Sequence, residues 1–289
     1  MKDSNITFVN QQDSLEQVCQ NLAQSRIISI DTEFERSTTY FSKPSIIQIA
    51  SDGYITIIDV RASLNLTSLK NILSDVQIIK IFHSPREDLE IFFRLFKLLP
   101  KNIFDTQAAA KLCGLGASIS YSNLCAQICA VKINKEYQRA NWLQRPLSIE
   151  MLKYAANDVK YLENIYNFLS SMIKNQQLQD RVVQVMDGLT DPQNYKSNLN
   201  DIWKKVDFKD PSEALLSRMK IIAAFREECA IETDMPRKHF LSDKDLIEIC
   251  RSLPTDKKEL KNLNLNSIHI TKQRYQNKLL DLCIGLKVY

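Results

Sequence analysis

Four short runs dominated by β-branched residues stand in the first third of the chain: IISIDTEF at 27–34, SIIQIAS at 45–51, YITIIDV at 54–60 and QIIKIFH at 77–83, bounded by Pro, Gly, Asp and Ser. Such side chains suit a pleated, half-buried surface, so each run predicts a strand. Asp52 and Gly53 alone separate the second run from the third. That link fits a type I′ hairpin, whose two central positions both need positive φ. The first three strands are therefore expected as an antiparallel meander. After Pro85 the period changes, with Leu89, Phe92, Phe93 and Phe96 recurring at helical spacing before Pro100. Strands alternating with helices imply a mixed α/β layer fold.

Further helices are predicted at about 105–113 and 121–131. Ser148 is placed to cap a long helix that begins near Ile149, with Glu150 in its first turn. Leu152, Ala155, Val159, Leu162, Tyr166 and Leu169 mark the buried face of that single helix. The stretch 188–201, GLTDPQNYKSNLND, is polar and turn-rich and is expected as a linker or irregular connection. From Pro211 onward LLSRMKIIAAF, LSDKDLIEIC and YQNKLLDLCIGL are amphipathic helical patterns, the makings of a small bundle.

At 289 residues the chain has room for a sizeable core and a second small unit. No apolar stretch approaches the roughly 20 residues of a membrane span. The opening residues lack the basic region, apolar core and cleavage site of a secretory signal, so a soluble, cytoplasmic protein is expected. Seven cysteines, with no CxxC pair among them, argue against both a disulfide framework and structural zinc. Cys125 and Cys129 share a helical face but lie in an apolar stretch and read as core. Net charge is only +4, and the excess lies late in the chain, with 17 Lys or Arg against 14 Asp or Glu from residue 200 onward. Charge alone is a weak argument for a polyanionic partner.

The acids say more. Asp31 and Glu33 lie two apart on a strand, so they share a face at about 7 Å along the chain. Two acids ending an apolar strand are costly unless something cationic meets them, although a strand running out into solvent would also carry them. Asp88 falls in the first turn of the helix after the fourth strand, where helix-dipole stabilisation accounts equally for Glu87 and Glu90. Asp158 stands mid-helix, where aspartate is a poor helix former, and a solvated face beside Lys160 competes as an explanation. Tyr154 lies one turn before it and reads either as a partner of that acid or as a core tyrosine.

Taken together, DTEFER (31–36), HSPREDLE (83–90), FDTQAAA (104–110), NWLQRPLS (141–148) and YAANDVKYL (154–162) resemble, in order, the blocks of the RNase D family of 3′→5′ exonucleases. The resemblance covers about residues 6–170. It implies an RNase H-like mixed β-sheet flanked by helices over 1–172, a connecting segment at 173–209, and a helical domain at 210–289. FREECAIETDMPRKHFLSDKDLIEICRSLP (225–254) is similar to the HRDC domain found in RNase D and RecQ-type helicases. Carried over by position, Asp31, Glu33, Asp88 and Asp158 become ligands of two Mg²⁺ or Mn²⁺ ions, and Tyr154 orients the attacking water. Hard divalent cations favour such carboxylate oxygens.

The implied activity is stepwise hydrolysis of RNA, tRNA precursors above all, from a free 3′ end to 5′-nucleoside monophosphates. No protein partner is evident and no membrane is involved. Two alternatives stay open: a DNA-directed exonuclease, since no motif here reads the 2′-hydroxyl, and a non-catalytic RNA-binding scaffold. Asp105 and His83 also fall in family blocks, but a helix cap and a packing or hydrogen-bonding role are expected of them. Trp142 and Arg145 are candidates for stacking on or gripping the substrate, with core packing an equal reading for the tryptophan. Arg237, Lys238 and His239 form a basic spot suited either to phosphate contact or to a solvated corner. The chain departs from the family in having room for one HRDC module where many members carry two, and in Asn141 and Asn157, neither of which removes a ligand.

Overall fold

The computed structural model describes residues 5–208, 212–267, 269–270 and 272–287. It separates into two compact units. One runs to Glu35 and resumes over Pro44–Tyr195; the other takes Arg36–Lys43 and the chain from Lys196 on. Residues 210 and 211, where the last domain is expected to begin, lie outside the described residues.

The first unit opens with β1 (Asn5–Val9), α1 (Gln12–Leu22), β2 (Ile27–Glu35), β3 (Lys43–Ser51) and β4 (Tyr54–Asp59). It continues with α2 (Thr67–Ser74), β5 (Ile79–Phe82), α3 (Arg86–Phe96) and β6 (Ile103–Asp105). Five helices complete it: α4 (Thr106–Leu112), α5 (Tyr121–Ile128), α6 (Ile149–Lys160), α7 (Leu162–Asn175) and α8 (Gln179–Leu189). The strands form one six-stranded sheet in the order β1-β4-β3-β2-β5-β6. β3 and β4 pair antiparallel, whereas β1–β4, β2–β5 and β5–β6 are parallel, so the sheet is mixed.

All four β-branched runs are strands, and the hairpin between β3 and β4 forms at Asp52 (φ 50°) and Gly53 (φ 81°), with Ser51 opposite Tyr54. Two strands were not legible. β1 and the three-residue β6 are short edge strands, and each is defined by a parallel partner distant in sequence. Sheet residues Ile28, Ile30, Ile46, Ile47 and Ile81 are fully buried beneath helical Leu69, Leu89, Phe92, Ala155 and Leu169. The long helix expected after Ser148 is two helices, α6 and α7, joined at Tyr161 (φ −109°, ψ 1°). Within the expected connecting segment, α8 belongs to the first unit and takes in the first two residues of 188–201; the rest of that stretch carries one 3₁₀ turn, Pro192–Tyr195.

The second unit is helical: α9 (Glu213–Glu232), α10 (Arg237–Phe240), α11 (Asp243–Ser252), α12 (Lys257–Asn262) and α13 (Gln273–Lys287). Ser212 and Ser242 cap α9 and α11 by accepting from the backbone of Leu215 and Asp245. Ile222, Ala223, Phe240, Leu246, Ile249, Leu279 and Cys283 make its own core. Arg226, fully buried in it, donates to Asp243 at 2.6 Å and to the Leu241 carbonyl at 3.1 Å. Among the described residues no helix is long and apolar enough to cross a membrane, and all seven cysteines are free.

Candidate active site

Three carboxylates meet at one point of the first unit. Asp31 and Glu33 leave the same face of β2, and Asp158 comes from α6; one oxygen from each lies within 4.8 Å of the others. The helix that carries Asp158 is fixed at its start by Ser148, whose hydroxyl accepts from the Met151 N–H at 3.2 Å. Met151, Ala155 and Val159 bury the face that adjoins Asp158. Asp88 arrives separately, in the first turn of α3, and is only 7% exposed. Its Oδ1 accepts a 2.5 Å hydrogen bond from the Thr32 hydroxyl. Thr32 alternates with Asp31 and Glu33 along the strand, so one Asp-Thr-Glu segment supplies two acids and the hydroxyl that holds a third. The sequence reading missed Thr32; the segment itself was the available signal.

Electrostatics set this cluster apart. Burial and then the charges of Asp88, Asp158 and Glu33 hold the Asp31 carboxyl well above the usual carboxylate range. Burial, then Asp158 and Asp88, pushes Glu33 up to about 9. Asp158 is pushed up to about 7 by burial, against a hydrogen bond from Tyr154. Asp88 rises to about 6, again by burial, with the Thr32 hydrogen bond pulling the other way. Carboxylates this close, desolvated and unable to ionise together, form an oxygen-rich set that a hard divalent cation relieves. Asp31, Glu33 and Asp158 keep part of their surface in solvent, so the cluster is reachable from outside.

Tyr154 stands one turn before Asp158 and donates its hydrogen bond to that carboxylate. Burial, with Asp158, Glu33 and Asp31 nearby, keeps the phenol protonated far beyond the ordinary tyrosine range. Its ring packs between Tyr137, at 6.2 Å, and Trp142, at 5.9 Å. Trp142 is 2% exposed and therefore has no open face for a base; it is core, as the packing alternative has it. Arg145 is engaged within the protein. Its Nε and Nη2 make a two-pronged ion pair with Asp59 at 2.7 and 2.6 Å, and Nη1 donates to the Trp142 carbonyl at 2.9 Å. The guanidinium thus ties β4 to the segment before α6.

Asp105 is a cap, accepting from the Gln107 N–H at 2.9 Å and the Ser84 N–H at 2.8 Å. His83 is held neutral by burial, which pushes it down to about 4, with Nδ1 on the Thr106 hydroxyl at 2.9 Å. In the second unit Arg237 is committed to Glu227, at 3.1 Å, and to the face of Tyr40. Lys238 pairs with Asp243 at 2.8 Å but is 61% exposed. Of the basic spot, Lys238 and His239 are the exposed side chains.

Residues 6–174 match the family model of the 3′-5′ exonuclease, and residues 216–283 that of the HRDC domain. The chain belongs to the 3′-5′ exonuclease family. Within that family it is 33% identical over 240 residues to Ribonuclease D of Gluconacetobacter diazotrophicus, covering 83% of this chain and 61% of that one. It is 33% identical over 257 residues to Ribonuclease D of Bartonella henselae, covering 89% and 63%. The chain thus spans a little over three fifths of the length of these exonuclease relatives. The crystal structure of Escherichia coli RNase D, an exoribonuclease involved in structured RNA processing, superposes with a TM-score of 0.86 at 26% identity, covering 99% of this chain and 76% of that chain.

Proposed function

We propose that this chain is a divalent-metal-dependent 3′→5′ exoribonuclease of the Ribonuclease D type, which shortens RNA from a free 3′ end and releases 5′-nucleoside monophosphates. The observation that carries the reading is the grouping of Asp31, Glu33 and Asp158 in a family whose chemistry is 3′-5′ exonucleolytic, with Asp88 acting on the same charges. The donor set fits divalent cations, all oxygen and all charge-frustrated without one. Asp31, Glu33 and Asp158 would hold one ion, and Asp88, whose charge acts on Asp31, would help to hold a second. Such ions, Mg²⁺ or Mn²⁺, supply Lewis acidity: they make a water nucleophilic near neutral pH and offset charge on the phosphate and the departing oxygen.

The chain's own groups then have distinct tasks. Thr32 fixes the rotamer of Asp88 through its 2.5 Å bond. Tyr154, protonated throughout, gives its one proton to Asp158 and would orient the attacking water by accepting a hydrogen bond from it; it is no base. No side-chain nucleophile is needed. Lys238, exposed on the HRDC domain, would contact phosphates along the body of the RNA, a sequence-independent contribution. The similarity to Ribonuclease D favours structured RNA, tRNA precursors in particular, as substrate, and the cytoplasm as its place of work. The test is digestion of RNA and DNA strands of one sequence, with the released nucleotides identified by chromatography. Preferential release of 5′-ribonucleoside monophosphates is expected; equal or faster release of deoxynucleotides would replace the reading with a DNA-directed exonuclease.

A further inference from the structure

The break between α6 and α7 is made by a side chain from elsewhere. In an unbroken helix the Tyr161 N–H would donate to the carbonyl of Asn157, four residues back. Here the hydroxyl of Tyr121, the first residue of α5, stands between them: Tyr161 N–H donates to it at 3.2 Å, and it donates to the Asn157 carbonyl at 2.7 Å. A hydroxyl spliced into the hydrogen-bond ladder is a recognised cause of helix breaks. The turn it interrupts, 157–161, contains Asp158 next to the bridged carbonyl. The apolar period itself continues across the break, with Ala155, Val159, Leu162 and Leu169 buried on both sides. Hydrophobic patterning therefore does not end α6.

Tyr121 is itself well anchored. Its ring lies 5.9 Å from that of His83, whose Nδ1 is tied to Thr106 at 2.9 Å, and it is packed against the core of the first unit. The anchor extends to the β5–α3 junction, just ahead of Asp88 in the first turn of α3. From this geometry we infer that Tyr121 is a positioning residue for the carboxylate cluster: its hydroxyl sets the height and rotation of the last turn of α6, and so the approach of Asp158 to Asp31 and Glu33. The inference rests on the metal-binding reading of that cluster. Removing the hydroxyl lets Tyr161 and Asn157 bond directly, which joins α6 to α7 and turns Asp158 away from its partners.

Tyr121→Phe deletes the hydroxyl and keeps the ring. Mn²⁺ binding is measured without RNA, by electron paramagnetic resonance titration, for the wild type, Tyr121→Phe, Asp158→Asn and the double variant, each checked for fold by circular dichroism. The expected result is a five- to tenfold weaker Mn²⁺ affinity for Tyr121→Phe, with little or no further loss when it is added to Asp158→Asn, because the hydroxyl acts through that carboxylate. In RNA digestion kcat falls and KM is unchanged. Equal losses of affinity in both backgrounds, or wild-type affinity in Tyr121→Phe, overturn the inference. Should Tyr121→Phe fail to fold, the same titration is run with 3-fluorotyrosine and with O-methyltyrosine at 121. The fluorinated residue keeps the bridge and the affinity; an O-methyl residue that also keeps the affinity overturns the inference. A wild type that weakens as expected on Tyr121→Phe yet does not degrade RNA supports the positioning role and refutes the exoribonuclease reading. A wild type that binds no Mn²⁺ refutes both.

Discussion

Replacing Glu33 by Gln should make the metal-free protein more stable, and by an amount that depends on pH. In the fold Glu33 is pushed up to about 9, against an ordinary 4.5, because burial and the neighbouring Asp158 and Asp88 resist its charge. A carboxyl raised in this way contributes its full share of stability only below its unfolded value; that share is lost as pH rises toward the folded value. Neutral pH lies roughly 2.5 pH units above 4.5, and each pH unit is worth about 1.4 kcal/mol, so confining this group costs the metal-free fold roughly 3 kcal/mol at pH 7. Glutamine has nearly the same shape and no charge to confine. In a unit of this size about 1 kcal/mol moves the melting temperature by roughly 2–4 °C, so Glu33→Gln should melt roughly 6–12 °C above the wild type at pH 7 in EDTA. The gap should be small at pH 5 and larger at pH 8.5. Saturating Mg²⁺ should close or reverse it, since the ion stabilises only the protein that binds it. A variant no more stable than the wild type at pH 8.5, or a gap that does not change with pH, would refute the electrostatic account of the cluster.

Three further outcomes follow from the same structure. Arg145→Ala strands Asp59, 9% exposed, without its two-pronged partner and should cost roughly 2–4 kcal/mol in denaturant unfolding at pH 7. Burial works against the Asp59 charge, but hydrogen bonds from Arg145 and the Arg61 N–H outweigh it and lower its pKa; a lowered carboxylate stabilises above its ordinary value and loses that stability as pH falls, so the penalty should shrink on acidification, and a loss below about 0.5 kcal/mol at pH 7 would contradict the ion pair. Tyr154→Phe should lower kcat on RNA by about 10²-fold with KM little changed, and unaltered kcat would remove the phenol from the reaction. Lys238→Ala should weaken RNA binding evenly across sequences and reduce the salt-dependence slope by about one, whereas an unchanged slope would take Lys238 out of the interface.

Local rules mark three of the candidate acids, two at the end of an apolar strand and an aspartate inside an apolar helical pattern, each with a solvated reading beside it; Asp88 is not marked at all, since the helix dipole accounts equally for Glu87 and Glu90. That they meet was legible only through the resemblance, since the approach of Asp158 to Asp31 and Glu33 joins α6 to β2 over more than 120 residues of chain. The hairpin was readable from Asp52-Gly53, and the Ser148 cap from a serine ahead of an apolar period, both being local signals. What was not readable came from tertiary contact. β1 and β6 are strands because distant partners pair with them. Arg145 and Trp142 sit in a block shared with an active-site family, yet one faces Asp59 and the other the core, which sequence position does not reveal. The hydroxyl that bridges the break at Tyr161 comes from a residue 40 positions away.

The central claim is that the carboxylate cluster hydrolyses RNA from its 3′ end with divalent cations. It is tested most directly by following a 5′-labelled, 3′-extended tRNA transcript on a sequencing gel in Mg²⁺, Mn²⁺ or EDTA, beside the Asp31→Ala protein. The account predicts a ladder that shortens from the 3′ end one nucleotide at a time, abolished by EDTA and by Asp31→Ala while the variant stays folded. Tight RNA binding with no metal-dependent shortening, or shortening that survives Asp31→Ala, would contradict it.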